Sequence, residues 1–452
     1  MNFPASLLIR TVLVLLLANA SSSVAQAGLW STAYYPGYRQ AYLPPARIDF
    51  TAVSHVIHFS VMPQAGGGIS VANGLTPAYA ADLVTRAHAA GSKALICVGG
   101  ADSQAGFQAA TTSANRAAFI TNVVHFMTTY GYDGVDLDWE PLDAADAQQF
   151  TNLVTELRIA LDQFTPRRLL TVATASRPAW FAALQSQFDQ INLMTYDMAG
   201  PWPGWMTWFN SPIYDGGFRF PSTSGLVPSM NGMVDSFITA GIAPGKLGVG
   251  IPFYGYLWAG GAGTSTGGAS LPRQTWGIAP NVTAVAYFDI MATYYQTNLY
   301  RWDTNAQAAY LGMDHAGATN DKFLSYDDEH ACQAKVSFAR NRGLGGVMIW
   351  ELGQGYRSTQ PIGLRDPLLQ SVKQALAPPR LTAIQRTNED IVLSCTSLPL
   401  ALYRVQWRSD LASGAWLTLT NNLPGTGGIL EVADPGAATN QSPRFYRVQT
   451  PP

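Results

Sequence analysis

The segment Asp133-Gly134-Val135-Asp136-Leu137-Asp138-Trp139-Glu140 constrains this chain more than any other. Acids stand at 136, 138 and 140, and apolar residues separate them. Residues two apart on a strand share a face. As a strand, the segment therefore carries a row of three carboxylates on one side and Val135, Leu137 and Trp139 on the other. Like charges so close repel, and burial adds a desolvation cost. Stability alone does not select such a row. The bland alternatives are a solvated edge strand and a calcium-binding loop. The apolar opposite face argues against the first. The second lacks the glycine and the closing glutamate spacing of an EF-hand.

The row resembles the DGxDxDxE signature of family 18 glycoside hydrolases, the chitinase family, with every signature position filled. The resemblance implies an α/β fold, a (β/α)8 TIM barrel with the row on its fourth strand. Its last acid, Glu140, then sits at the C-terminal mouth, where barrel enzymes keep their active sites. By resemblance Glu140 is the proton donor.

Length and charge agree with that reading. A chain of 452 residues suits a barrel with an appendage. Formal net charge is −2 and only 12% of residues are charged, against roughly 25% in ordinary soluble proteins. Such a surface offers nothing to nucleic acid or to an acidic membrane, and it suits a neutral polymer.

Residues 1–27 read as a signal peptide: Arg10, an apolar run over 11–18, and Ala25-Gln26-Ala27 before Gly28. The run is too short to span a bilayer stably. The expectation is a secreted protein, extracellular or periplasmic. Three cysteines exclude a full disulfide framework and leave room for one bridge at most.

Strand and helix signals then alternate. Strands are expected at 29–36, 54–61, 93–99, 132–140, 169–175, 190–197, 246–254 and 344–351. Most are continuous apolar runs, as for strands buried on both faces. Residues 28–378 form the expected catalytic barrel. A small α+β insertion, about 263–322, precedes the eighth strand, where the family often builds one wall of its cleft.

Other strand ends match the family. Gln190 begins the run QINLMTYDMAG, which matches the sixth-strand motif MxYD. By resemblance Met194 lines the site, and Tyr196 and Asp197 hold the substrate's acetamido group. Gly346-Val347-Met348-Ile349-Trp350 matches the eighth strand, whose Trp350 floors the −1 sugar site. Gly250 to Gly255 matches the seventh and contributes Tyr254. Tyr34, from the first strand, would bond the inner acids. Gly99 and Gly100 match the third-strand motif. Trp202 supplies an acceptor-side platform, and Trp205 and Trp208 follow it in a loop expected to face solvent. Ser325-Tyr326-Asp327-Asp328 also recurs in the family.

The chemistry implied is substrate-assisted. Asp138 flanks Glu140 on one strand and is badly placed to attack the opposite sugar face, and this family is a known exception to the two-carboxylate rule. The substrate's own N-acetyl oxygen attacks instead. Asp138 would orient the acetamido N–H, and Asp136 would share a proton with Asp138. No cofactor and no metal are implied. The partner is chitin or an N-acetylglucosamine oligosaccharide, bound by a monomer. Two rivals keep the fold: an endo-β-N-acetylglucosaminidase acting on glycoprotein glycans, and a non-catalytic chitin-binding lectin.

Three positions depart from the family pattern. Cys97 replaces the third-strand serine, and a thiol is a weaker partner for Asp136. Ala101 replaces a tryptophan. Tyr256 replaces an arginine expected to face Asp197.

After an Ala377-Pro378-Pro379 linker, residues 379–452 show short alternating runs separated by turn signals. They read as a β-sandwich similar to the fibronectin-like appendages of secreted hydrolases. Trp407, Trp416, Phe445 and Tyr446 either fill its core or form a carbohydrate platform.

Overall fold

The computed structural model describes residues 28–398, 401–440 and 442–450. The expected signal peptide lies outside them. Eight parallel strands close into a barrel: β1 Trp30–Pro36, β2 His55–Pro63, β3 Lys93–Gly100, β4 Gly134–Trp139, β5 Leu169–Thr174, β6 Gln190–Leu193, β7 Leu247–Pro252 and β8 Gly346–Trp350. Each pairs with its neighbours, and β1 pairs with both β2 and β8.

Burial on both faces explains the apolar runs. On β3, Ala94, Leu95, Ile96, Cys97 and Val98 are all fully buried. Ala94, Ile96 and Val98 face the helical layer, whereas Leu95 and Cys97 point into the barrel. The helices present complementary stripes. In helix Ala147–Leu161 the buried side includes Phe150, Leu153, Leu157 and Leu161, at the spacing of one helical face. Helix Pro77–Ala89 begins with proline at its first position and Thr76 as its cap, as a helix start requires.

β6 is shorter than expected. It stops at Leu193, so Met194, Tyr196 and Asp197 belong to the loop after it. The Thr195 hydroxyl bonds both the N–H and the C=O of Gly250 on β7, which replaces the backbone ladder. Asp197 then turns into the left-handed region at φ 58°.

The insertion is wider than 263–322. β7 ends at Pro252, and Tyr254–Ala259 is already a strand of a separate antiparallel sheet. That sheet has five strands and closes with Lys322–Tyr326. The expected strand 246–254 runs two residues past Pro252 into the insertion's first strand because both strands are apolar and adjoin without a turn signal.

Beyond the barrel, two three-stranded antiparallel sheets face each other. The first holds Leu381–Thr387, Asp390–Thr396 and Ile429–Asp434. The second holds Leu417–Pro424, Leu402–Arg408 and Phe445–Gln449. Leu393, Val405 and Val432 pack between them. All three cysteines are buried and unpaired.

Candidate active site

β4 alternates as a strand must. Val135, Leu137 and Trp139 enter the layer between strands and helices, where the Trp139 ring stacks on Phe107 at 4.5 Å. Asp136, Asp138 and Glu140 therefore point the other way. Ser103 fixes the end of the row: its hydroxyl donates to the Asp138 carbonyl and accepts from the Glu140 N–H, both at 3.1 Å.

Strand register sets what each acid meets. Asp136 lies beside Cys97 of β3 and Thr171 of β5, so all three side chains enter the barrel at one level. Thr171 Oγ1 donates to Asp136 Oδ1 at 2.5 Å, and Tyr34 Oη donates to Oδ2 at 2.6 Å. The Cys97 thiol is a third donor. Burial pushes the Asp136 carboxyl up to about 6, and these hydrogen bonds restrain the rise. Sequence reading missed Thr171. Its only signal was its place opposite Asp136, which requires the register.

Asp138 bonds Glu140 and not Asp136. Burial raises Asp138 well above the ordinary carboxylate range, and the neighbouring charges of Glu140 and Asp136 raise it further. Glu140 is raised as well, first by burial, then by Asp197 and Asp102, while its bond to Asp138 pulls it down. Two adjacent raised acids share a proton and titrate as a pair. Asp136 is held by Tyr34, Thr171 and Cys97, and Asp138 reaches along the row to Glu140. Asp138 Oδ1 is buried and has no partner.

A cavity of about 450 Å³ opens above the row. Asp138, Glu140, Met194, Tyr196, Asp197, Tyr34 and Trp350 all line it. Trp350 packs against Tyr34 and Phe59, with ring centroids 5.3 and 5.0 Å away. Phe59, Met62, Asn73 and Tyr38 add a wall that the strand-end motifs did not reveal. Met348 comes into play as well, with its sulfur 3.8 Å from the Tyr196 hydroxyl.

Tyr254 reaches the site from behind, donating to Asp197 Oδ1 at 2.5 Å. The Tyr256 hydroxyl bonds Asp197 too. Two neutral phenols thus stand where the family pattern has an arginine. Gly99 and Gly100 are not in the lining and act through the backbone. A Cβ at Gly99 would lie 2.1 Å from the Asp138 carbonyl oxygen, and one at Gly100 would lie 2.4 Å from the Phe59 ring. Both have positive φ, 106° and 117°, which glycine adopts without strain. Trp202 is likewise outside the lining; it is exposed and packs edge-on against Trp205. Trp208 does not face solvent. It is fully buried, and its indole N–H donates to the Pro228 carbonyl.

A closed parallel barrel with a carboxylate row at its mouth and an aromatic floor defines a glycosidase-type barrel. Residues 32–355 match the family model for glycosyl hydrolases family 18, and the chain belongs to that family. It is 33% identical over 295 residues to Chitinase A1 of Niallia circulans, covering 58% of this chain and 40% of that one. It is 32% identical over 262 residues to a probable endochitinase of Caenorhabditis elegans, covering 54% and 40%. Each of these relatives is therefore matched over less than half its length. Among solved structures, catalytic domain 2 of the Ostrinia furnacalis group II chitinase shares the fold with TM-score 0.64 and 24% identity, covering 77% of this chain and 96% of that one.

Proposed function

We propose that this protein hydrolyses β-1,4-linked N-acetylglucosamine polymers, chitin or its oligosaccharides, by a retaining, substrate-assisted mechanism. The observation that carries this reading is the Asp138–Glu140 pair at the cavity wall, with Asp138 Oδ1 buried and unpartnered. An amide N–H is the partner that oxygen lacks, and the 2-acetamido group supplies one.

The shared proton then explains activation. A donor arriving at Asp138 favours its ionised form. The pair's proton moves to Glu140, which becomes the acid where one is needed. The acetamido carbonyl oxygen attacks the anomeric carbon as Glu140 gives its proton to the departing glycosidic oxygen. The resulting oxazolinium ion is opened by water, whose proton returns to Glu140. Tyr196 lines the wall beside the pair. Asp197, the remaining cavity carboxylate, accepts hydrogen bonds from two phenols, which occupy its oxygens and weaken it as a nucleophile.

The chitinase-named relatives favour this substrate over a glycoprotein glycan, and the retained Glu140 favours catalysis over pure binding. Mass spectrometry of products from chitin oligomers and from a high-mannose glycopeptide tests the choice. Cleavage of the glycopeptide alone overturns it. Residues 1–27 as an export signal, and 28–378 and 379–452 as separate units, complete the proposal. N-terminal sequencing of the exported protein should begin at Gly28.

A further inference from the structure

The second C-terminal sheet carries a cationic face that the family match, ending at residue 355, does not reach. Tyr403 and Val405 point into the sandwich core. Arg404 and Arg408 on the same strand therefore point outward, as alternation requires. Gln406 lies between them, and its register partner on the next strand is Arg447. Arg408 lies four positions along the strand from Arg404, roughly 13 Å, with Arg447 midway. Trp416 lies on this face too: the guanidinium groups of Arg408 and Arg447 approach its ring centroid to 4.5 and 4.4 Å.

None of the three arginines has a carboxylate partner among the described residues. Arg447 donates twice to Gln406 Oε1, Arg404 donates to Asn421 Oδ1, and Arg408 donates to the Leu411 carbonyl. Each acceptor is neutral. Arg408 Nε is buried and has no acceptor at all. The three like charges repel; Asp410 lies near Arg408 and Trp416 stacks against Arg408 and Arg447, but Arg404 and Arg447 form no ion pair among the described residues. By contrast, Arg444, just before the strand that carries Arg447, pairs with Asp434. The acids Glu389, Asp390, Glu431 and Asp434 stand on or beside strands of the opposite sheet.

We propose that this face binds an acidic polysaccharide, a sugar chain bearing carboxylates. Charge complementarity selects an anion, and the planar guanidinium fork matches a carboxylate better than an ammonium does. Thr418 and Asn421, beside the arginines, suit sugar hydroxyls, while buried Gln406 holds the Arg447 guanidinium in place. Nucleic acid fits less well. Residues 380–450 hold six arginines against five acids, whereas nucleic-acid binders present strongly basic surfaces. A second site of this kind on a polysaccharide hydrolase would hold the barrel near mixed polymer surfaces and raise its effective local concentration.

The test is affinity electrophoresis of the full chain in gels containing polygalacturonate, neutral dextran or duplex DNA. Retardation by polygalacturonate alone is expected, and it should weaken as salt rises from about 0.05 to about 0.3 M. Arg404→Gln is the decisive variant because Arg404 does not touch Trp416, so its loss leaves the stacked trio intact. It should weaken retardation about three- to fivefold. Arg404→Gln with Arg447→Gln should abolish it, with the melting temperature measured alongside. No retardation by polygalacturonate, equal retardation by dextran, tighter retention by DNA, or an Arg404→Gln variant that binds unchanged each overturns the proposal. The last outcome would leave the arginines as packing for Trp416.

Discussion

The Thr171 hydroxyl donates to Asp136 Oδ1 at 2.5 Å from the strand beside the acid row. It favours the ionised form of a carboxyl that burial pushes up to about 6. Thr171→Val removes the donor and keeps the shape. Asp136 should then titrate higher by about one pH unit, and the acidic limb of the pH–rate profile should move the same way. An unmoved profile would show that Asp136 ionisation is not felt at Glu140.

Cys97 donates to the same carboxylate with a thiol. Cys97→Ser offers a stronger donor at the same register position. The expected shift is opposite to that of Thr171→Val, toward lower pH. Profiles of the two variants measured side by side check the sign.

Glu140→Gln keeps size and polarity and removes the transferable proton. Turnover of chitin oligomers should fall by about 10²–10⁴, with oligosaccharide binding retained in calorimetry. Near-normal turnover would sink the assignment of Glu140 as acid.

Substrate assistance makes the acetamido group part of the machinery. The first-formed product should be the β-anomer by NMR, and a fully deacetylated oligomer should stay intact. Initial α-anomer, or brisk cleavage of the deacetylated chain, would refute the mechanism.

Asp136 also makes stability depend on pH. Its folded value, about 6, exceeds the ordinary aspartate value of 3.8. A raised carboxyl binds its proton more tightly in the folded state, so its stabilising effect is present below pH 3.8 and lost as pH rises through 6. The difference corresponds to about 3 kcal/mol. Asp136→Asn cannot ionise. Its penalty relative to the parent should therefore shrink between pH 4 and pH 7, by up to that amount. Urea unfolding at both pH values checks it, and a penalty that grows with pH contradicts the assignment.

Sequence alone determined the barrel and the acid row. Strands buried on both faces must be apolar throughout, and a period of two must place 136, 138 and 140 together. Those are local constraints, visible in neighbouring residues. Contacts between distant segments were legible only where the family resemblance supplied them, as for Tyr34 and Cys97 at Asp136; their cause lies in the tertiary structure. Thr171 and Cys97 flank Asp136 because of strand register, and Tyr254 and Tyr256 meet Asp197 because the insertion's first strand folds back beside the β6 loop. The same holds for Trp208, whose burial comes from segments far along the chain. Which neighbours each acid meets was likewise a tertiary decision. Three acids in one alternating row differ chiefly in what the rest of the barrel places against them.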